Sequence, residues 1–408
     1  MLNYYLGRQP IFDVRMDVMG YEILFRPHED ALVSGAGVLN GDMATSRVIL
    51  DSLFEAGLDK LVGGHPAFIN LTRGFVVNPD LLPPPSPQLV LEVLEDIEVD
   101  DEVIAGVRAL KQRGYTVALD DFIYDEKWVP LLELADIVKV DLRAADRAQV
   151  TACLKQLSKY PLKLLAEKIE DEAEFIWCKD AGFDYFQGYF LCQPQMKKGK
   201  RLPTNRLHIL RILARLQDDA VQVSELERII SEDVTLSFKL LKYINSPAFG
   251  TRSKITSIKH AVVYLGMKEV RRWGNLVALL GVDDNPEELM VIGLVRAKMC
   301  ELLASARGNF DQGMAFLIGL FSILDAIMGA PLDEILENLP LSSDVTDALL
   351  NNSGGYSKFL QVAKAHEQGS WHETDLDSDL AGIPLADLYL QSLGWASMTR
   401  DSLRQGSA

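Results

Sequence analysis

The chain has 408 residues, of which 48% are hydrophobic and 24% charged, enough apolar material for a large core and for two or three domains. Acids outnumber bases by 58 to 41, a formal charge of −17, which argues against non-specific nucleic-acid binding and against docking on an anionic membrane. The four cysteines, Cys153, Cys178, Cys192 and Cys300, form no CxxC pair and are expected to be reduced thiols.

The N-terminal segment MLNYYLGRQPIFDVRMD lacks a basic stretch followed by an apolar core, so no signal peptide is expected there. The most apolar run, Met314–Ala330, is short and is interrupted by Ser322 and Asp325, so no membrane span is expected. The expectation is a cytoplasmic protein.

Through about residue 195, strand-like and helix-like segments alternate. Ala67–Leu71, Leu89–Val93, Thr116–Leu119, Ile137–Val140 and Leu162–Ala166 are short, apolar and rich in β-branched residues, as strands are. The spacing of apolar residues predicts helices over Asp100–Arg113, stopping at Gly114, and over Ala145–Lys159. Such alternation implies a parallel sheet with helical crossovers. Periodicity alone fits a closed barrel and an open sheet equally well. The PPPSP run at 83–87 reads as a rigid loop.

From Pro203 onward the pattern becomes helical, with candidates at Arg206–Leu216, Val223–Ser231, Leu236–Ile244, Ser257–Leu265 and Met314–Met328. The basic run Lys197-Lys198-Gly199-Lys200-Arg201 carries no interleaved aromatics and reads as a linker. The expected domains are 1–197 and 198–408.

Polar groups recur where strand candidates finish. Glu22 follows Tyr21, Asn70 ends AFIN, Glu92 ends LVLE with Glu95 close behind, and Asp120-Asp121 ends VALDD. Lys139 lies in IVKVD, Glu167 ends LKLLAE, and Gln187 follows FDYF. In barrels of parallel strands, catalytic groups gather on the face where strands end. So many carboxylates on one rim would repel each other, and hard divalent cations that prefer oxygen ligands remove that repulsion. A pair of such ions suits in-line hydrolysis of a phosphodiester.

The segment GYEILFRP at 20–27 resembles the signature of the EAL family of cyclic di-GMP phosphodiesterases. The resemblance continues through QPI at 9–11, AFINLT at 67–72, LEVLE at 91–95, ALDDF at 118–122, VKVD at 138–141, AEKIE at 166–170 and FQGYFLCQP at 186–194. It implies a TIM-like (β/α)8 barrel with one strand reversed, and metal-dependent opening of cyclic di-GMP to linear pGpG. It also implies a site with two ions, Mg²⁺ or Mn²⁺. Carried over residue by residue, Glu22, Asn70, Glu92 and Asp120 would hold the first ion, and Asp120, Asp121 and Glu167 the second. Lys139 would orient or activate the attacking water, and Gln187 would position water or substrate. Arg26 would face a phosphate, Gln9 and Leu24 would line the nucleotide pocket, and Glu95 would brace a loop.

Two departures bear on turnover. After the central strand this chain reads DDFIYDEKW, without the glycines of the family's Asp-Asp-Phe-Gly-Thr-Gly, and Ile23 replaces alanine beside Glu22. The altered loop lies where family members contact a partner subunit, which bears on the homodimer through barrel helices that the resemblance implies. A phosphodiesterase and an inactive cyclic di-GMP receptor or protein-interaction scaffold therefore stand side by side.

The second half resembles the HDOD domain, through EDVTLSFKLLKYINSPAFG at 232–250 and ITSIKHAVVYLGMKEVRRW at 255–273, with Asp233 and Asn245-Ser246 as its hallmarks. It carries no His-Asp pair. His28, His65, His208, His260, His366 and His372 show no HxH or HxxxH spacing. The resemblance implies a regulatory module with a protein partner and without the HD metal ligands; no DNA, RNA or membrane partner is expected.

Overall fold

The computed structural model describes residues 4–27, 58–188, 204–218, 220–232, 234–245, 255–280, 286–370, 380 and 382–404. The chain forms two compact units, one comprising Met1–Cys192 and the other most of the remainder.

The first unit is a closed barrel of eight strands in sequential order. They are β1 (Tyr4–Asp13), β2 (Val18–Pro27), β3 (Ala67–Leu71), β4 (Leu89–Val93), β5 (Thr116–Leu119), β6 (Ile137–Asp141), β7 (Lys163–Glu167) and β8 (Tyr185–Phe186). Neighbours pair in parallel from β2 to β8, whereas β1 runs antiparallel to both β2 and β8. It is therefore the reversed strand of the expected barrel. Five strands fall on the segments predicted from β-branched composition, to within one residue at either end. Three strands went unpredicted: β1 and β2, whose mixture of Arg8, Gln9, Glu22 and Arg26 with apolar residues hides a simple period, and β8, which is only two residues long.

The helices between the strands show ordinary capping chemistry. Asp101–Arg113 (α1) begins at Asp100, whose carboxylate accepts from the Val103 amide. It ends at Gly114, whose φ of 94° is the left-handed C-cap conformation that glycine adopts without strain. Arg147–Leu157 (α2) opens on a capping box formed by Asp146 and Gln149. The 83–87 segment carries no helix or strand, in line with its reading as a loop.

Strand alternation organises the barrel interior. Ile11, Phe68, Val90, Ala118, Ile137 and Leu165 form one buried apolar cluster drawn from six strands. Side chains two residues apart on a strand share a face. The same inward face therefore carries Gln9, Asn70, Glu92, Asp120, Lys139 and Glu167 one layer higher. Because β1 is reversed, its step to the upper layer runs backward, from Ile11 to Gln9, while the others run forward.

The second unit is all helical among its described residues. Its axis is Glu287–Arg307 (α3), apolar and buried around most of its circumference, as an interior helix must be. Thr204–Gln217, Val223–Glu232, Val234–Ile244 and Ile258–Leu265 match the helical periodicity of the sequence closely. The single helix expected over Met314–Met328 is instead two, Gln312–Phe321 and Leu324–Met328. The Ser322 hydroxyl donates back to the Gly319 carbonyl at 2.7 Å, and Ile323 leaves helical geometry at φ −115°. Asn245 clamps the following segment. Its amide donates to the Leu241 and Ile255 carbonyls, and its oxygen accepts from the Ile255 amide at 2.7 Å. Asp233, Ser246, Cys192, His28, His372 and the 197–201 basic run lie outside the described residues. Among the described residues, no helix is long and apolar enough to cross a membrane.

Candidate active site

The upper layer of the barrel converges on one ammonium. Lys139, on β6, is wholly buried. Its Nζ lies 2.6 Å from Asp120, 2.8 Å from Glu92, 3.0 Å from Glu167 and 3.4 Å from Glu22. These carboxylates come from the middle of β2 and the ends of β4, β5 and β7, so residues separated by more than 140 positions meet because the sheet closes.

A hydrogen-bonded chain runs along one side. Gln187 donates from Nε2 to Glu22 Oε2 at 2.8 Å and to Gln9 Oε1 at 3.0 Å, and Asn70 Nδ2 lies 3.5 Å from Glu22 Oε1. Strand register sets this up, with Gln9 opposite Glu22 and Asn70 opposite Glu92. The short β8 brings in Gln187 just past its end, where its amide donates to the Ala166 carbonyl.

One ammonium has three protons and cannot serve four carboxylates. Glu92 Oε2, Glu167 Oε2 and Asn70 Oδ1 are buried without a hydrogen-bond donor, and Glu92 Oε1 and Asp120 Oδ1 have only the shared Lys139 ammonium. Buried polar atoms are ordinarily paired, so this many orphaned oxygens in one place signals a missing positive group. The donors are all oxygen, the preference of hard divalent cations. Asp120, Asp121 and Glu167 each present a carboxylate oxygen within 4.8 Å of the others. The residues present thus fit a divalent metal.

Protonation equilibria record the same surplus of negative charge. Burial pushes Glu92 well above the ordinary carboxylate range, and Lys139 only partly offsets it. Burial likewise raises Asp120, and pushes Glu167 up to about 8. Glu22 goes the other way. Burial acts to raise it, but the Lys139 charge and hydrogen bonds from Gln187, Lys139 and Asn70 hold it below its usual value. Burial acts to lower Lys139, yet its carboxylate neighbours keep the ammonium charged, well above the lysine norm.

The structure therefore brings together Gln9, Glu22, Asn70, Glu92, Asp120, Lys139, Glu167 and Gln187, with Asp121 immediately beside them. Leu24 is part-buried on β2, two residues beyond Glu22. Arg26 is the next-to-last residue of that strand, but its side chain lies outside the described residues. Glu95 is exposed in the turn after β4; partial burial, followed by the charges of Asp121, Asp120 and Asp96, raises its pKa.

Two residues of this mouth were missed. Asp141 and Lys168 form an ion pair of 2.6 Å, and Lys168 also reaches Asp121 at 3.2 Å. The signal for Asp141 was its position two residues past Lys139 on one strand. For Lys168 it was adjacency to Glu167, which the register places opposite Asp141.

The altered loop is tied down at its start. Phe122 is buried, its amide donates to the Lys139 carbonyl at 2.8 Å, and its ring meets Trp128 edge-on at 5.9 Å. Ile123 is exposed.

The family model of the EAL domain matches residues 65–194, and that of the HDOD domain matches residues 202–327. The chain is 32% identical over 394 residues to cyclic di-GMP phosphodiesterase CdgJ of Vibrio cholerae, covering 95% of this chain and 90% of that protein. It is 31% identical over 413 residues to the uncharacterized protein YuxH of Bacillus subtilis, covering 98% of this chain and all of that one. A standalone versatile EAL protein from Vibrio cholerae O395, solved with c-di-GMP bound, is 25% identical. The match covers 46% of this chain and 90% of that one, with a TM-score of 0.35.

Proposed function

Because the chain belongs to the family of proteins that join an EAL domain to an HDOD domain, we propose that its barrel hydrolyses cyclic di-GMP to linear pGpG in a reaction that needs Mg²⁺ or Mn²⁺. The observation that carries this reading is the set of orphaned, inward-facing oxygens around Lys139. Glu22, Asn70, Glu92 and Asp120 would hold one ion, and Asp120, Asp121 and Glu167 another. Bound there, the ions supply Lewis-acid stabilisation of a phosphodiester and acidify water at neutral pH.

The chain's own groups do the remainder. Its carboxylate neighbours hold the Lys139 ammonium charged, so it would orient the attacking water as a positive charge and proton donor. Gln187 fixes the orientation of Glu22 and, through Gln9, joins it to the wall of the nucleotide pocket. Leu24 and Gln9 would line that pocket and Arg26 would face a phosphate, a role suited to its fork of donors. Glu95 would brace the turn it occupies. The helical domain would regulate the barrel through a protein partner.

Purified full-length protein with cyclic di-GMP and Mn²⁺ or Mg²⁺ is expected to yield pGpG. Chelation and Glu22→Ala are each expected to abolish the product. No product with either metal overturns the reading.

The DDFIYDEKW loop favours a second reading, in which the barrel binds the nucleotide without cleaving it. Calorimetry that shows tight nucleotide binding by a protein without turnover would select it.

A further inference from the structure

Two residues at the barrel mouth share an uncommon backbone. Asp121, directly after Asp120, has φ 41°, and Lys168, directly after Glu167, has φ 59°. Side chains other than glycine adopt this left-handed region only where their surroundings hold them there. Here the two residues face each other. Lys168 Nζ donates to both Asp121 oxygens, at 3.2 and 3.3 Å, and to Asp141 Oδ2 at 2.6 Å.

Resting on the metal-dependent reading above, we infer that Lys168 is a tethered cation that competes with the second divalent ion for the Asp121 carboxylate. The site then takes up its two ions in order, and the second enters only by displacing an ammonium.

The contrast with Lys139 supports this. Lys139 is wholly buried among four carboxylates and has no route to solvent. The Lys168 side chain is 50% exposed, so its ammonium moves into water at little desolvation cost, and exposed ion pairs are weak enough to exchange. Asp141 accepts the shorter of its contacts, so Lys168 keeps a carboxylate partner after it leaves Asp121. Asp121 meanwhile belongs to the carboxylate trio that best fits an ion. A monovalent charge already sits where the trio would otherwise be underneutralised.

The test is Mn²⁺ titration calorimetry on the full-length protein at low ionic strength, with thermal melts as a folding control. Lys168→Met is expected to tighten the weaker Mn²⁺ step about tenfold while leaving the tighter step unchanged, because the variant removes a competitor worth roughly one surface ion pair and a repelling charge. Lys168→Arg retains the charge and is expected to stay within about twofold of the parent. Asp141→Asn leaves Lys168 with Asp121 alone and is expected to weaken the same step, the opposite sign from Lys168→Met. Lys168→Gly, which accommodates the positive φ, replaces the methionine variant if that one folds poorly. Equal affinity of parent and charge-removed variants for the weaker step overturns the inference and leaves the metal-dependent reading standing. No Mn²⁺ uptake by any of the proteins overturns that reading, and the inference falls with it.

Discussion

Two layers of the same barrel interior are built on the same strands, two residues apart, and obey opposite physics. The lower layer, Phe68 with Ile11, Val90, Ala118, Ile137 and Leu165, is apolar and complete in itself. The upper layer, Glu92 with Asn70, Asp120, Lys139 and Glu167, is polar and incomplete, with oxygens that lack donors. Burial stabilises the first and strains the second. The lower layer can therefore support an upper layer whose charge balances only when another cation arrives. The fold holds a polarised site open on an apolar plug.

The sharpest way to break this comparison is to delete one member of each layer. Phe68→Ala is expected to cost about 3–5 kcal/mol in urea denaturation, and the loss should be the same with and without Mn²⁺. Lys139→Met leaves several buried carboxylates without their cation, also a loss of about 3–5 kcal/mol for the metal-free protein near neutral pH. That loss should shrink when Mn²⁺ is added, and again when the pH is lowered enough to protonate the acids. If Lys139→Met proved as indifferent to Mn²⁺ as Phe68→Ala, the upper layer would not be a metal site.

Titration separates the layers without a mutation. Glu167 has an ordinary value of 4.5 and is raised to about 8 in the folded protein. Between those values the folded state holds a proton that the unfolded state has released, so stability is present at low pH and lost as pH rises through the folded value. The slope has a ceiling of about 1.4 kcal/mol per pH unit for one such group. The metal-free melting temperature is therefore expected to fall from about pH 6 to about pH 8, and the stabilisation by Mn²⁺ to grow over the same interval. A flat metal-free profile would mean that these acids are neutralised by the protein itself.

A smaller effect tests the lower layer from its floor. Gly20 sits beneath Phe68, and a Cβ there would lie 2.9 Å from the Pro66 carbonyl oxygen and 3.0 Å from the Phe68 ring. Gly20→Ala is expected to cost about 1–3 kcal/mol through overpacking. Because Glu22 follows two residues later on the same face, turnover at saturating metal would report whether disturbing one layer shifts the other. Loss of stability with unchanged turnover would show that they are mechanically independent.

How legible each layer was in sequence follows from its chemistry. Short β-branched runs such as IVKV and LVLEV mark buried parallel strands, and the acids at their ends mark the rim. Closure of the sheet was not legible from periodicity, because it depends on β1 pairing backward with β8 through just two residues of register, Phe12 with Phe186 and Asp13 with Tyr185. The acids and Lys139 were visible one by one, whereas the placing of that ammonium at the centre of the acids was not. Nothing in IVKVD tells a reader that Lys139 would be wholly buried. Lys168 was hidden more thoroughly, since its importance rests on a backbone conformation that no side-chain pattern announces. In the helical half, the break at Ser322–Ile323 escaped detection because an apolar run interrupted by Ser322 and Asp325 looks the same whether one helix or two bury it.

The smallest expected effect is the most discriminating about where the site ends. Glu95 stands on the rim, exposed, yet its pKa is raised by partial burial and by Asp121 and Asp120. It thus feels the field of the upper layer without being enclosed by it. Glu95→Ala removes a solvated carboxylate, so stability is expected to change by no more than about 0.5 kcal/mol. If its only task is to brace the turn after β4, turnover should drop less than about tenfold, toward the low end of effects from residues that support metal ligands. It should also be rescued by Glu95→Gln, which retains an acceptor for the brace while losing the charge. A drop as deep as that expected for Glu22→Ala, without rescue by glutamine, would move the boundary of the site outward. The negative charge of the rim, not only the buried oxygens, would then be part of what the cations require.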